Sequence, residues 1–487
     1  MPARPFHIFT SGGEAYLHNV EGVYCFHVTK HEAEAIRAIE VSESLSPDDE
    51  VFLSQYGLGE GDPAVTPGST DVAVHSVTLL TTHACNFKCT YCYEFSNFAQ
   101  PHSKPGRMNI ETAKRTVDWL IATSGTEENL ALGFFGGEPL LNFPLIEQVV
   151  DYANERGAAH GKKFSFSMTT NGSLLSDEII AFLKRHNIKT TISMDGGKEI
   201  QNTQRPMVNG KDSYETVRPR AAKLLAEMPE TGVQATLCGD TDPREVKADL
   251  AAMGFRRIGL TNVSPSTPEE GRKAGNGLWS ARAMTVLLDD EASALRRAIA
   301  DRDAERIRTP HSYLCSRVGT FLTGQVKEHH CGAGKASVAV ANSGDIYLCH
   351  RFADLKDYRL GHINDETLDR AAYQVKPVGS VAACSTCYSR YHCPGGCYHD
   401  NLNNTGSVFE PNETLCNVSR HMTELAAAIS ADLSDEDIAF LVAERLVPAH
   451  ARRRGPSRPQ LAPGSPIDEV GLSGLASAIP APWAAID

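Results

Sequence analysis

From residue 74 the chain alternates six strand-like runs with helical ones, and this rhythm restricts the fold more than any other feature. The expected strands are 75–81, 130–135, 164–170, 188–194, 232–238 and 256–262. The expected helices are 110–123, 143–158, 176–186, 213–227, 242–253 and 277–303. Repeated strand–helix units build a parallel sheet. With right-handed crossovers the sheet is either open or a partial barrel. Polar and glycine-rich residues follow the strand ends: a cysteine loop, Gly136-Gly137-Glu138, Thr170-Asn171-Gly172, Asp195-Gly196 and Thr261-Asn262. In barrel-like folds chemistry gathers at the C-terminal ends of the strands, so motifs and topology point to one rim.

The first of these signals is Cys85-Asn86-Phe87-Lys88-Cys89-Thr90-Tyr91-Cys92-Tyr93, with the spacing C-x-x-x-C-x-x-C. Three thiolates on one short loop can hold three irons of a [4Fe–4S] cube and leave the fourth open to a small molecule. A zinc site is the alternative, with nearby His83 as a fourth ligand. Eight more cysteines follow between 304 and 420, where periodicity is weak: Cys315, Cys331, Cys349, Cys384, Cys387, Cys393, Cys397 and Cys416. They suit two further cubes, or two zinc sites closed by four thiolates each. Cys25 and Cys238 lie in strand-like runs and read as buried, inert thiols.

The balance of 47 basic and 60 acidic side chains, a formal net charge of −13, argues against a general nucleic-acid binder. No apolar run reaches about 18 residues, so no membrane span is expected, and the N-terminus lacks a secretory signal. Cysteines in such a chain read as metal ligands in a reducing cytoplasm and not as disulfides.

Five segments are expected. Residues 1–56 form a small α+β module, with strands at 6–10, 14–20 and 22–28 and helices at 30–40 and 47–56. Residues 57–73, rich in Gly and Pro, read as a linker. The α/β barrel spans 74–303, a cysteine-rich domain 304–432 with a closing helix at 417–432, and a terminal helix (434–446) with a mobile tail fills 433–487.

The cysteine loop, with an aromatic residue before its last Cys and a Gly-Gly-Glu turn one strand later, resembles the signature of the radical SAM superfamily. The resemblance implies a partial (β/α)6 TIM-type barrel. It also implies that S-adenosylmethionine (SAM) chelates the open iron and is cleaved to a 5′-deoxyadenosyl radical. It further implies that Gly136, Gly137 and Glu138 meet the methionine amino group. Thr170, Asn171, Ser193 and Arg205 would touch the carboxylate, ribose and methionine.

The later cysteines resemble the SPASM domain of radical SAM enzymes that modify peptides and proteins. The whole resemblance covers roughly 74–430. It implies two auxiliary [4Fe–4S] clusters, three clusters in all. Cys315, Cys331, Cys349 and Cys397 would hold the inner one, and Cys384, Cys387, Cys393 and Cys416 the outer one. The step from Cys315 to Cys331 is longer than in sulfatase maturases. The N-terminal module resembles the winged-helix-like domains that bind leader peptides by strand addition.

The run Cys349-His350-Arg351-Phe352 looks like thioether-forming maturases, namely those of Cys-rich peptides and of the quinohemoprotein amine dehydrogenase small subunit. Sulfatase maturases carry Asp where His350 stands. The implied activity is Cys thioether crosslinking of a ribosomally made precursor peptide or small protein subunit. Formylglycine formation and carbon–carbon crosslinking are the alternatives. His350 and Tyr347 are expected to position or deprotonate the peptide, or else to pack around a cluster. An electron donor such as flavodoxin or ferredoxin completes the expected partners.

Overall fold

The structure, a computed structural model, describes residues 6–42, 44–54, 56, 58, 72–92, 106–264, 281–308, 312–374 and 378–454. Most of the expected linker and the tail beyond 454 lie outside these residues.

The N-terminal strands β1 (Phe6–Ser11), β2 (Glu14–Asn19) and β3 (Tyr24–Val28) form an antiparallel sheet in the order β1-β2-β3. Helices α1 (Lys30–Val41) and α2 (Pro47–Ser54) follow. Thr29 starts α1 with a reciprocal cap, its hydroxyl on the Glu32 amide and the Glu32 carboxylate on its own amide. Side chains alternate between the two faces of a strand. Ile8, Leu17 and Val28 therefore join Ile36 and Leu53 of the two helices, while Phe9, Tyr16 and Cys25 face the opposite way.

The second sheet contains the six expected parallel strands: β4 (Ser76–Thr82), β5 (Asn129–Gly136), β6 (Lys163–Thr170), β7 (Lys189–Ser193), β8 (Gly232–Leu237) and β9 (Arg257–Asn262). Between them run α3 (Ile110–Thr123), α4 (Phe143–Ala159), α5 (Asp177–Arg185), α6 (Lys198–Gln204), α7 (Ser213–Glu227) and α8 (Pro243–Ala252). Of these only α6 is absent from the sequence-based expectation. Three further strands, β10 (Ser337–Val340), β11 (Asp345–Tyr347) and β12 (Arg359–His362), extend the sheet to the order β12-β11-β10-β4-β5-β6-β7-β8-β9. Strand β10 pairs parallel to β4, and the β11–β12 hairpin continues antiparallel. At three or four residues each, these strands are too short to display a period of two.

One face of the parallel sheet is apolar. Leu79, Leu132, Phe134, Phe166, Ile192 and Val233 pack under the helices in one large core. The other face is small and polar: a Cβ placed on Gly133 would lie 3.3 Å from Ser167 Oγ and 3.6 Å from Thr78 Oγ1. A hollow of about 830 Å³ opens at the N-terminal ends of β7, β8 and β9, away from the cysteine loop, lined by Lys189, Thr191, Gly232, Gln234 and Gly259 among others.

Helix α9 (Ala281–Ala300) departs from its expected place as the last barrel helix. Its Leu288, Leu295 and Ile299 pack with α10 (Ser312–Thr323) and α12 (Glu413–Asp432). A Lys247–Glu291 ion pair ties it back to α8. The boundary expected at 303 therefore falls inside a continuous helical layer. Helix α11 (Tyr398–Thr405) precedes α12, and α13 (Asp435–Ala443) follows it. Among the described residues no helix is long and apolar enough to cross a membrane.

Helix α12 also seats the N-terminal sheet. Asp432 accepts from Tyr16 Oη at 3.0 Å and pairs with His27 at 2.8 Å and Arg296 at 2.8 Å. Glu424 bonds His7 at 2.9 Å and Tyr388 Oη at 2.7 Å, and those two rings stack 3.5 Å apart. Because Asp432 is about one-third exposed, each bond contributes modestly. Asp432→Ala is expected to cost about 1–2 kcal/mol and to speed amide exchange in β1–β3. Unchanged exchange there would mean that apolar packing alone seats the module.

Candidate functional site

The cysteine loop leaves β4 through a register irregularity between Leu80 and Thr82, which redirects the chain over the rim. Main-chain bonds then hold it from two sides. On one side Gly137 N donates to Thr82 O at 2.8 Å and Glu138 N to Ala84 O at 2.9 Å. Gly136 has φ +131°, and a Cβ there would run into the Thr82 carbonyl oxygen, so only glycine suits this contact. On the other side Lys88 N donates to Pro206 O at 2.8 Å, Thr90 N to Gln204 O at 2.9 Å and Val208 N to Asn86 O at 3.0 Å. Phe87 is buried between these clasps at 1% exposure.

Glu138 is fully buried at the end of β5. Its carboxylate accepts from Thr170 Oγ1 (2.7 Å), Asn171 N (2.7 Å) and Leu140 N (3.1 Å). Burial outweighs these bonds and lifts its pKa to about 7. Asn171 reaches on to Asn86 Oδ1 at 2.8 Å and to Cys85 Sγ at 3.8 Å. Thr170 and Asn171, expected as direct SAM contacts, thus spend their polar groups on Glu138 and the loop.

Arg205 and Asp195 are both buried and form an ion pair at 2.9 Å. Asp195 also accepts from Tyr91 Oη at 2.6 Å and Thr236 N at 2.8 Å. The guanidinium lies 5.3 Å from the Tyr91 ring centre, and its charge opposes the upward push of burial on the Cys89 thiol. Asp195 is the anchor that holds Arg205 beside the loop. Ser193 ends β7 half-buried on the same rim.

Burial pushes the Cys85 thiol up to about 12 and raises Cys89. Enclosed thiols of this kind need a bound cation to ionise. Cys238 corrects an expectation: it is only half-buried at the end of β8, near enough to Asp195, Arg205 and Cys89 to feel their charges. Cys25 is buried, as expected.

Two further groups of thiols lie in the cysteine-rich region. Cys349 lies beside Cys397 and Cys331, and Arg351 Nη1 donates to Cys397 Sγ at 3.7 Å and to Asp400 Oδ1 at 2.7 Å. Cys384, Cys387, Cys393 and Cys416 form the other group, near the Arg420 charge. Cys315 stands apart, its Sγ 3.9 Å from Leu446 O. Among the described residues no three His, Cys, Asp or Glu side chains are placed to share one metal ion.

His350 tilts over Phe135, ring centres 4.4 Å apart, beside the Gly136 turn. Tyr347 is buried with Leu80 and Ala341, and burial pushes its phenol up to about 12. It is therefore a poor base near neutral pH. His83 is buried, its Nε2 4.0 Å from Asp354.

Comparison with known proteins agrees with the fold. Residues 79–253 match the Radical SAM superfamily. The chain is 27% identical over 299 residues to an uncharacterized protein of Methanocaldococcus jannaschii, covering 59% of this chain and 88% of that one. It is 25% identical over 328 residues to the cysteine-type anaerobic sulfatase-maturating enzyme of Clostridium perfringens, covering 64% and 85%. Native anSMEcpe with bound AdoMet shares the fold at a TM-score of 0.60 and 20% identity, covering 74% of this chain and 100% of that one. Its complex with AdoMet and the Cp18Cys peptide superposes at 0.59 with 22% identity, covering 73% and 97%.

The Glu138 carboxyl yields a pH test. Its folded pKa, about 7, exceeds the ordinary value of 4.5. Between those values the folded chain keeps a proton that the unfolded chain releases, so stability falls as pH rises through this window. Wild type is expected to lose roughly 3 kcal/mol more than Glu138→Gln across it, measured by urea unfolding. Parallel pH profiles would mean that Glu138 stays ionised in the fold.

Proposed function

With residues 79–253 a radical SAM domain, we propose that this chain is a peptide maturase that forms Cys thioether crosslinks in a ribosomally made precursor. The observation that carries the radical SAM chemistry is the clasped Cys85–Cys89–Cys92 loop lying against Glu138 and Arg205. Its three thiols would hold the SAM-binding [4Fe–4S] cluster. When bound, that cluster and SAM supply a 5′-deoxyadenosyl radical that takes a hydrogen atom from a peptide carbon.

This chain's residues bind and orient. Gly136, Gly137 and the ionised Glu138 receive the methionine ammonium. Arg205 and Ser193 receive the carboxylate, Arg205 already held by Asp195 and Tyr91. The two further groups of thiols would hold auxiliary clusters that accept the surplus electron. His350, over Phe135 at the rim, positions the peptide. The N-terminal module would take the leader, and a small reduced electron carrier would supply the first electron.

Two observations support a peptide substrate: relatedness to a sulfatase-maturating enzyme, and the fold shared with a protein that binds the Cp18Cys peptide. The thioether outcome rests on His350 following Cys349. Formylglycine formation is the second reading, favoured by the sulfatase-maturating relative itself.

Anaerobic protein reconstituted with iron and sulfide is expected to release 5′-deoxyadenosine from SAM and dithionite. Replacing Cys85, Cys89 and Cys92 together by Ala should abolish this. No release from the intact protein would overturn the radical SAM reading. A crosslink and the oxidation of Ser to an aldehyde each remove two hydrogens, so mass alone does not separate them. Consumed thiols with no aldehyde identify the thioether, and a product that captures an aldehyde reagent identifies formylglycine.

A further inference from the structure

The turn from Cys387 to Cys393 spends most of its side chains on the N-terminal sheet. Its main chain is closed from within: Arg390 N donates to Cys387 O at 3.1 Å, and Cys393 N to Ser389 O at 2.8 Å. Ser389 is buried against Thr423 of α12, their hydroxyl oxygens 2.7 Å apart. The other side chains reach the module. Tyr388 stacks on His7 of β1 with ring centres 3.5 Å apart. Tyr391 Oη donates to Glu21 Oε2 at 2.8 Å. His392 meets His18 of β2 at 5.7 Å between ring centres, and both rings rest on Phe321 of α10. His18 and His392 are 1% and 5% exposed, so this joint is closed to solvent.

Arg390 links the two sides. Its buried guanidinium pairs with the Glu21 carboxylate in the β2–β3 turn and donates to the Cys387 carbonyl at 3.0 Å. One side chain therefore separates a carboxylate of the module from the main chain of a thiol-bearing residue. A buried guanidinium that loses its carboxylate is costly, so Glu21 fixes the place of Arg390 and, through it, of the Cys387 carbonyl. The thiols at this end have the chemistry of a metal site. Cys384 feels the charges of Cys387 and Cys393, and Cys416 those of Cys393 and Cys384. Burial pushes the Cys384 thiol up to about 11 and the Cys416 thiol up to about 12. Both stay protonated near neutral pH unless a bound cation replaces the proton.

We propose that the N-terminal sheet is part of the outer thiol site. Glu21, acting through Arg390, is a positioning residue that holds the Cys387–Cys393 turn, so that metal held by Cys384, Cys387, Cys393 and Cys416 and the seating of the sheet stabilise each other. Groups that orient a metal's ligands govern its retention by about 10–100-fold, and such coupling is reciprocal. Coordination exchanges thiol protons for metal and moves no electron. This rests on reading the cysteine-rich region as a metal-holding domain, and metal content separates the two claims.

The test uses the full chain with Cys85, Cys89 and Cys92 replaced by Ala, reconstituted anaerobically with iron and sulfide, and follows iron release to a chelator. The iron missing from a Cys384→Ala, Cys387→Ala variant defines the outer pool. Equal iron in both would remove the metal reading of this group, and the proposal with it. Glu21→Gln should release the outer pool about tenfold faster and leave release of the remaining iron at its original rate. Tyr391→Phe, which keeps the ion pair, should shift the same pool by less, and it stands in should Glu21→Gln unfold the chain. In the reverse direction, the Cys384→Ala, Cys387→Ala variant should exchange the amides of 14–28 faster than its loaded parent. Unchanged release in the folded Glu21 and Tyr391 variants, or both pools loosened alike, would overturn the proposal. Amide exchange in 14–28 that ignores metal loading would do the same.

Discussion

The main-chain clasp on the cysteine loop is the constraint on which the rim depends. A short loop carrying three cysteines has little internal structure to fix its thiols. Here its amides and carbonyls are bonded to the Gly136–Glu138 turn on one side and to 204–208 on the other. Each such bond is worth about 1 kcal/mol net, but together they remove the loop's freedom. They also make the loop's geometry conditional on the whole sheet. The Gly136 turn belongs to β5, and 204–208 follow β7 and α6, so the strands between must be in register first.

A second constraint is electrostatic. Two carboxylates, Glu138 and Asp195, are fully buried at the rim. They are treated differently. Asp195 is compensated by Arg205, the Tyr91 hydroxyl and a backbone amide. Removing any one of these partners would leave buried charge incompletely paired, which is costly. Glu138 has hydrogen-bond donors but no cation, and burial raises its pKa accordingly. The site therefore presents one satisfied ion pair that holds a guanidinium and one carboxylate still short of positive charge.

The N-terminal sheet shows how separate stretches become one body. Helix α12 carries Cys416 near its start, packs on α9 and α10 along its length, and receives β1–β3 through Glu424 and Asp432. Arg390, six residues after Cys384, pairs with Glu21 in the β2–β3 turn. The module is thus bound to the frame of the cysteine-rich region.

The alternation from 74 to 262 was legible because each strand and helix is long enough to display its own period, and the six parallel strands stand within one or two residues of expectation. The cysteine loop was legible as a candidate ligand set because its spacing is local. Strands β10–β12 were not, being shorter than any pattern they could carry. Nor were the tasks of Thr170, Asn171 and Asp195, since hydrogen-bond partners distant in the chain decide them. Cys315 marks the limit most clearly. By count it is one of eight similar thiols, yet only the packing of α10 against 446–448 reveals which way it points. Residue types and their spacing along the chain determined what kind of chemistry this protein can hold. The crossing of helices and the register of strands decided which side chains take part, because direction in space is set by contacts that no local stretch contains.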